Sequence, residues 1–426
     1  MKSLFRGIIV FLLNALTRGI LHKYRPQIVM VTGSVGKSST KDAIATALAP
    51  SIYLRASTKS YNSDFGLPLT VIGRETAWGN PIGWLSILVE GLLLLIFPAH
   101  YPKLLVLEVG ADHPKDLQKL LKIATPDAVV VTRLPEVPVH VEAYEGPEEV
   151  REEEFAPAGA LAHGAPLILA AEDTHAKKLA RGIHATITTY GYGEEADVRI
   201  TAPVFVADGA DAGMHATLSI AGHPYEVSTR GVIGEQQLYA PAAAVATALA
   251  LGVPVKQALL GLAEYEPPPG RARILAGVSG SLLIDDTYNS SPAAVEEALK
   301  SLTLVKGAKR RVAILGDMLE LGRYSAKEHE RIGVIAAEYV DVLITVGHRA
   351  ESIATAFLNA REGGTVEDYE NSVLAAAAIP ESIREGDVVL IKGSQSMRME
   401  RITEALLANP EDVAKLPRQD AAWKRR

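Results

Sequence analysis

The segment from Ile28 to Thr40, IVMVTGSVGKSST, most constrains how this chain can fold. An apolar run typical of a buried strand leads into a turn bracketed by Gly33 and Gly36, and a helix is predicted from Lys41 to Leu48. Such a unit suits a phosphate, because the backbone N–H groups of the turn and the positive end of the helix dipole face the anion. The segment therefore predicts a phosphate-binding loop at the end of a strand.

The side chains of this turn have predicted roles. Lys37 offers a positive charge to the phosphates, and Ser38 offers a hydroxyl to a Mg²⁺ bound against them. The common spacing GxxxxGK[ST] would require a glycine at Val31, so an ordinary turn between a strand and a helix remains the alternative. The other expected phosphate contacts of the loop are Ser34, Val35 and Ser39.

The composition narrows the classes of function. A chain of 426 residues with 48% hydrophobic residues can form at least two domains. A net charge of −7 argues against general nucleic-acid binding, which normally needs a basic surface. The absence of cysteine excludes disulfides, thiolate catalysis and cysteine-ligated metals, and it fits a cytoplasmic setting.

Two apolar segments raise the question of a membrane. Residues 1–26 carry five basic side chains and no acid, and their pattern predicts a basic amphipathic helix. Residues 82–97 are too short to cross a bilayer and contain Glu90. One interpretation is peripheral contact of residues 1–24 and 82–97 with the inner face of the cell membrane. The other is that the N-terminal helix packs on the catalytic domain and that residues 82–97 pair with this helix or form a buried core helix.

Two polar residues follow predicted buried strands. Glu108 ends the strand in KLLVLEVG, and His140 comes shortly after AVVVTRL. Because parallel α/β sheets collect ligand groups at the carboxyl ends of their strands, both are candidates for a metal site beside the loop. Taken singly, each is also explained as a solvated loop residue.

Six segments in order give the chain a resemblance to a known family. They are VTGSVGKSSTK, YNSDFGLPLT, LEVGADHPKDL, IDDTYNSSP, VAILGDMLELGRYSAKEH and IKGSQSMRMER. Over residues 27–408 the chain resembles the Mur ligases, in particular the branch that adds D-alanyl-D-alanine to a UDP-linked muropeptide. The resemblance implies an ATP-dependent amide ligase of cell-wall precursor synthesis, in which a phosphoryl group from ATP activates a carboxylate for attack by an amine.

The resemblance also implies a domain organisation. It is α/β throughout: a central P-loop-type ATPase domain with a mostly parallel sheet, and a C-terminal Rossmann-like α/β domain. The stiff sequence PPPG at residues 267–270 is the expected boundary between the two. The expected parts are the N-terminal helix (1–26), the central domain (27–269, with an apolar insertion at 77–100), the C-terminal domain (270–410) and a polar, frayed tail (411–426).

Roles for individual residues follow from the same resemblance. Ser38 and Glu108 would hold a first Mg²⁺ and His140 a second. Arg271 would reach the γ-phosphate, and Asp286 would bind the ribose; a surface arginine and a helix cap are the alternatives for these two. Asn62 would lie near the phosphates and adenine. The expected catalytic residues are Lys37, Glu108, His140 and Arg271.

Three departures from the family pattern affect these expectations. Glu154 stands where the family has a carbamylated lysine, so we expect either a direct Mg²⁺ ligand or an exposed acid. Gln237 replaces an adenine-contacting asparagine. Residues 1–26 stand in place of the family's UDP-binding domain, which raises the hypothesis of a lipid-linked acceptor.

The expected partners are ATP, Mg²⁺, a UDP- or lipid-linked muropeptide and D-Ala-D-Ala or a similar amine, and the chain is expected to be a monomer. Two alternatives stay open. One is a related ligase with another acceptor. The other is a membrane-associated nucleotide-binding scaffold without ligase activity.

Overall fold

The computed structural model of the chain describes residues 2–57, 65–207, 209–420 and 423, without the side chains of residues 2–5. The α-helices are α1 (Lys2–Tyr24), α2 (Lys37–Leu48), α3 (Gly66–Ile72), α4 (Pro81–Ile96), α5 (Asp116–Leu121), α6 (Pro147–Gly159), α7 (Thr174–Ala180), α8 (Tyr239–Ala250), α9 (Val255–Leu262), α10 (Pro292–Ser301), α11 (Ser325–Tyr339), α12 (Glu351–Ala360), α13 (Ser372–Ala378) and α14 (Glu400–Leu406). The strands are β1 (Gln27–Thr32), β2 (Leu54–Ala56), β3 (Leu104–Glu108), β4 (Ala128–Val131), β5 (Pro166–Ala170), β6 (Thr186–Gly191), β7 (Val198–Val206), β8 (Gly213–Ile220), β9 (His223–Arg230), β10 (Arg273–Ala276), β11 (Leu282–Asp286), β12 (Arg310–Gly316), β13 (Val342–Val346), β14 (Thr365–Tyr369) and β15 (Asp387–Lys392).

The strands of the described residues form two sheets. The first has the order β2-β3-β1-β4-β5-β6-β7-β8-β9 and is parallel from β2 to β7. Strands β7, β8 and β9 are antiparallel and form one end of this sheet. The second sheet has the order β10-β11-β15-β12-β13-β14 and is parallel except for β10. The predicted α/β class with a mostly parallel sheet and a second α/β unit is confirmed.

Strand β1 shows how the first sheet is buried on both faces. Val29 and Val31 belong to the core that includes residues of α2 and α8. Ile28 and Met30, which alternate with them, belong to a core with residues of α1, α3 and α4. Because successive side chains of a strand point to opposite faces, a strand covered on both sides needs an unbroken apolar run. This explains why the sequence alone predicted strand β1.

Two local predictions are wrong. Helix α2 begins at Lys37, so Lys37 and Ser38 lie in its first turn, whereas the sequence placed the start at Lys41. The tail was expected to fray from residue 411, but it packs on the second unit through residue 418. Leu416 is 2% exposed, and the guanidinium of Arg418 donates to Glu400 at 2.8 Å. Burial of an apolar side chain and an ion pair therefore hold this part of the tail in place.

The two apolar segments pack against each other and on the first sheet. Leu13 and Ile20 of α1 are fully buried, and Trp84 and Ile87 of α4 lie in the same core. The interpretation that these segments pack on the catalytic domain is thus correct for one face of each helix. Across the described part of the chain, no helix combines the length and apolar character needed to span a bilayer.

Candidate active site

The loop between β1 and α2 is held against the neighbouring strand. Gly33 and Gly36 have φ angles of 116° and 89°, which glycine adopts without the steric cost that other residues pay. A Cβ at Gly33 would collide with the Thr132 hydroxyl beyond β4. The N–H of Ser34 donates to the carbonyl of Arg133 at 2.9 Å, so the segment directly after β4 supports the loop. The loop thus has the fixed, glycine-dependent shape expected of a phosphate site.

Lys37 and Glu154 meet at this loop. The Lys37 ammonium donates to the Gly33 carbonyl and lies 3.6 Å from Glu154 Oε1. Glu154 Oε2 accepts from the Thr32 hydroxyl at 2.9 Å and from the Gly33 N–H at 3.2 Å. Glu154 is 2% exposed, so the interpretation of an exposed acid is wrong. Its carboxylate binds the loop and its lysine.

Ser38 and Glu108 form the second pair beside the loop. The Ser38 hydroxyl donates to Glu108 Oε1 at 2.9 Å, which brings the first turn of α2 to the end of β3. Glu108 is 4% exposed, and its N–H donates to the Ser57 hydroxyl. A hydroxyl and a carboxylate are oxygen ligands suited to Mg²⁺, which keeps several waters and needs few protein ligands. These two residues therefore fit the predicted first magnesium site.

His140 is held between carboxylates from two parts of the chain. Its Nδ1 lies 3.0 Å from Glu320 Oε2, and its Nε2 lies 3.5 Å from Asp112 Oδ1. Burial by itself would lower the pKa of His140, but the hydrogen bond and charge of Glu320, with the charge of Asp112, raise the pKa above its usual value. His140 thus forms an ion pair that links the segment after β4 to the segment after β12.

The four predicted metal ligands do not form one cluster. Ser38 and Glu108 pair with each other, Glu154 binds the loop, and His140 binds Glu320. Within the part of the chain that the structure describes, no group of three or more histidine, aspartate or glutamate side chains has an arrangement that could hold a metal ion.

A cavity of about 410 Å³ opens beside the loop, between the two sheets. This volume is within the range of about 300 to 1,000 Å³ typical of small-molecule sites. The predicted nucleotide-binding residues that line it are Val35, Gly36, Ser39, Gln237, Arg271 and Asp286. Folding therefore brings together, in one cavity, residues that are up to 251 positions apart in the chain.

Arg271 and Asp286 reach this cavity from the second unit. The guanidinium of Arg271 stacks 4.2 Å from the centre of the Tyr288 ring, so it is not a simple surface arginine. Asp286 is not a helix cap, because the Ser291 side chain caps α10. Asp286 Oδ1 accepts from the Ala272 N–H at 3.1 Å. Its other oxygen accepts from the ammonium of Lys392 at 2.6 Å.

Sequence reasoning assigned no role to several residues of the site. Lys392 is 2% exposed, lines the cavity and neutralises Asp286. Its signal in the sequence was its position at the end of the apolar strand β15, within the segment IKGS. Arg133 and Glu297 form an ion pair that joins the two units at the rim of the cavity, and no local pattern marked it. Asn62, which was expected near the phosphates, lies outside the described residues.

The loop, the Ser38–Glu108 pair and the shared cavity define a nucleotide-binding α/β protein whose site is built by two units. The sequence pattern of the Mur ligase middle domain matches residues 31–248, and that of the Mur ligase glutamate ligase domain matches residues 270–395. The chain belongs to the Mur ligase family.

Several proteins of this family are similar to the chain along most of its length. The UDP-N-acetylmuramoyl-tripeptide–D-alanyl-D-alanine ligase of Bacillus subtilis is 26% identical over 399 residues, which are 93% of this chain and 79% of that protein. The enzyme of the same name from Mycobacterium tuberculosis is 28% identical over 406 residues, 90% of this chain and 73% of that protein.

Solved structures show the same fold. The MurF ligase of Thermotoga maritima in complex with ADP superposes with a TM-score of 0.76 at 24% identity, and the match covers 93% of this chain and 83% of that one. The folylpolyglutamate synthase of Mycobacterium tuberculosis complexed with ADP gives a TM-score of 0.62 at 13% identity, with 92% and 94% covered. At these identities the likeness concerns the fold alone.

Proposed function

We propose that this Mur ligase is an ATP-dependent amide ligase of cell-wall precursor synthesis, joining the carboxylate of a muropeptide to D-Ala-D-Ala. The names of the Bacillus and Mycobacterium relatives supply this substrate pair. The observation that carries the proposal is that the loop of the first unit and Arg271 of the second line one cavity. Because the reaction needs ATP and a cell-wall precursor together, we propose that it takes place in the cytoplasm.

The first unit would bind the polyphosphate of ATP. The N–H groups of Lys37 and Ser38 lie in the first turn of α2, where the backbone donors and the helix dipole favour an anion. Lys37 adds a charge at the same place, and Glu154 fixes the loop and the lysine in position. Mg²⁺ bound by Ser38 and Glu108 would supply neutralisation of phosphate charge.

The second unit would complete the site. Arg271 brings a fixed positive charge to the cavity that the loop also lines, where it can stabilise negative charge on the transferred phosphoryl group. Asp286, oriented by Lys392, offers a carboxylate oxygen to a ribose hydroxyl. Gln237 lies beside Tyr239 in the cavity and offers an amide to the base. No protein nucleophile is needed, because positioning and charge neutralisation are the main requirements of phosphoryl transfer.

We assign residues 27–269 to the ATP-binding domain and residues 270–410 to the domain that closes the site. The boundary after PPPG is supported by the change of sheet, since β9 ends at Arg230 and β10 begins at Arg273. Two ion pairs, His140 with Glu320 and Arg133 with Glu297, join the two domains, and the second of them lines the cavity.

A product assay tests the proposed function. The protein is mixed with ATP, Mg²⁺, a UDP-linked muropeptide and D-Ala-D-Ala, and both phosphate release and product mass are measured. We expect phosphate release that requires both the acceptor and the dipeptide, and a product heavier than the acceptor by one dipeptide less one water. Nucleotide binding without turnover for UDP-linked and lipid-linked acceptors would instead support the scaffold.

A further inference from the structure

One side of α1 and one side of α4 form an exposed apolar surface. The exposed fractions of its large side chains range from 40% at Leu12 to 79% at Ile82. The spacing of three and four residues places them on one side of each helix. We call this the α1/α4 surface; its residues are Ile8, Phe11 and Leu12 of α1 and Ile82, Leu85, Val89, Leu92, Leu93 and Ile96 of α4.

The α1/α4 surface is rigidly supported. The two helices run side by side in the same direction, with Gly19 against Leu95 and Gly91 against Leu16. At their N-terminal ends, Phe65 links the helices, because its ring lies 5.6 Å from the Arg6 guanidinium and packs on Trp84. The opposite faces of both helices lie in the core. An apolar surface of this extent on a fixed support marks an interaction site rather than scattered exposed residues.

The charge around this surface is opposite to that of the whole protein. The chain has a net charge of −7, yet residues 1–41 contain no acid, and Arg6 and Arg18 are exposed on α1. Glu90 is the single acid of α4, and it is neutralised by Arg74 at 2.5 Å. Apolar side chains flanked by basic ones are complementary to an anionic lipid surface.

Carbonyl groups at the C-terminal end of α4 accept hydrogen bonds from side chains of α1. The ammonium of Lys23 donates to the carbonyls of Leu94, Leu95 and Phe97 at 2.7 to 3.0 Å, and the Tyr24 hydroxyl donates to two of the same carbonyls. The last carbonyls of a helix have no partner within the helix, and in lipid an unpaired carbonyl is costly. This end can therefore approach hydrocarbon without leaving those groups unsatisfied.

We propose that the α1/α4 surface binds the surface of an anionic phospholipid bilayer, with both helices lying in the plane of the interface. A second copy of the chain is a less suitable occupant, because a two-fold contact through this surface would bring the basic residues of both copies to one interface. Helix α1 ends at Tyr24, and β1, which leads into the phosphate loop, begins at Gln27, so the α1/α4 surface belongs to the unit that carries this loop. Binding would bring the proposed active site near the membrane, but it does not depend on the proposed reaction.

Vesicle sedimentation of the full chain tests this inference. We expect binding to vesicles of equal parts phosphatidylcholine and phosphatidylglycerol, and weaker binding to phosphatidylcholine alone or at high salt. Leu85→Glu should weaken binding about tenfold or more, because it places a charge within the buried apolar face. Leu260→Glu is the matched control, since both leucines are 61% exposed and Leu260 lies on α9. Arg18→Gln should weaken binding to the anionic vesicles about fivefold.

The inference is overturned if the wild-type chain stays in the supernatant with anionic vesicles, or if Leu85→Glu binds as well as Leu260→Glu. A dimer in sedimentation velocity that Leu85→Glu dissociates would assign the surface to a second copy instead. Thermal unfolding confirms that both variants are folded. Phosphate release without vesicles, measured on the same variants with the UDP-linked acceptor, should equal that of the wild type, so a failure of the proposed ligase activity is detected separately.

Discussion

Glu320 lies 3.0 Å from His140, although the two residues belong to different units and are separated by 180 positions in the chain. The contact is part of a wider one: a Cβ at Gly322 would touch Glu142, and the Arg323 guanidinium donates to the Glu145 carbonyl. The segment after β12 therefore packs on residues 140–145 of the first unit and brings a carboxylate to His140. This ion pair links the two units and raises the pKa of the histidine.

Removing the charge of Glu320 should change the titration of His140. Burial lowers the pKa of His140, but Glu320 and then Asp112 raise it above its usual value, so Glu320→Gln should move the NMR titration midpoint of His140 to lower pH. A raised histidine pKa stabilises the fold at pH values below the usual histidine pKa, and this stabilisation is lost as pH rises through the raised pKa. Glu320→Gln should therefore lose stability mainly at acid pH.

Glu351→Gln is the control for this titration, since Glu351 pairs in the same way with His348 on the exposed surface. It should leave the midpoint of His140 unchanged. The titration is done without nucleotide or Mg²⁺. An unchanged midpoint in Glu320→Gln would contradict the ion pair.

Gly33→Ala should abolish tight ATP binding and destabilise the fold by about 2 kcal/mol or more. The added Cβ would meet the Thr132 hydroxyl at a φ of 116°, and relief of this clash must move either the loop or β4. Isothermal titration with ATP and urea unfolding measure the two effects. Gly164→Ala is the matched control: its φ is 79°, but a Cβ there has no neighbour within 4 Å. Gly164→Ala should lower the free energy of unfolding by about 1 kcal/mol and leave ATP binding intact.

Glu154→Gln separates loop positioning from metal binding. If Glu154 acts through its contacts with Gly33 and Lys37, the variant should raise the KM for ATP severalfold and leave the Mg²⁺ concentration for half-maximal activity unchanged. Steady-state kinetics at varied ATP and varied Mg²⁺ measure both quantities. Glu152→Gln, an exposed neighbour on the same helix, should behave as the wild type. A marked shift in Mg²⁺ dependence would instead identify Glu154 as a metal ligand.

Asp285 should make stability depend on pH in a specific direction. Burial raises the pKa of Asp285 to about 6 despite the hydrogen bonds that its carboxylate accepts from Thr287 and Thr403. The folded protein therefore binds this proton more tightly than the unfolded chain, and stability is gained as pH falls through 6. Relative to Asp285→Asn, the wild type should gain about 1 kcal/mol between pH 7.5 and 5 in urea unfolding. Parallel curves for the two proteins would contradict this prediction.

The sequence did not predict strands β2, β10 and β14, and all three lie at the edges of the sheets. β2 is an edge strand of the first sheet, and β10 and β14 are the two edges of the second. No residue of β2 or β14 is buried, whereas all five residues of the central strand β13 are. An edge strand is covered on fewer sides, so its sequence needs no apolar run. Periodicity therefore finds the centre of a sheet more easily than its margin.

What the sequence by itself determined was the local chemistry: a glycine-bracketed loop between a buried strand and a helix, an acid at the end of β3, and the alternation of strands and helices. These features depend on neighbours in the chain, and their physical signals lie within a few residues. Only the tertiary structure decided which distant groups meet: Glu154 at the loop, Glu320 at His140, Lys392 at Asp286, and α4 beside α1. Contacts across such separations are set by packing of whole elements, and no local pattern encodes them.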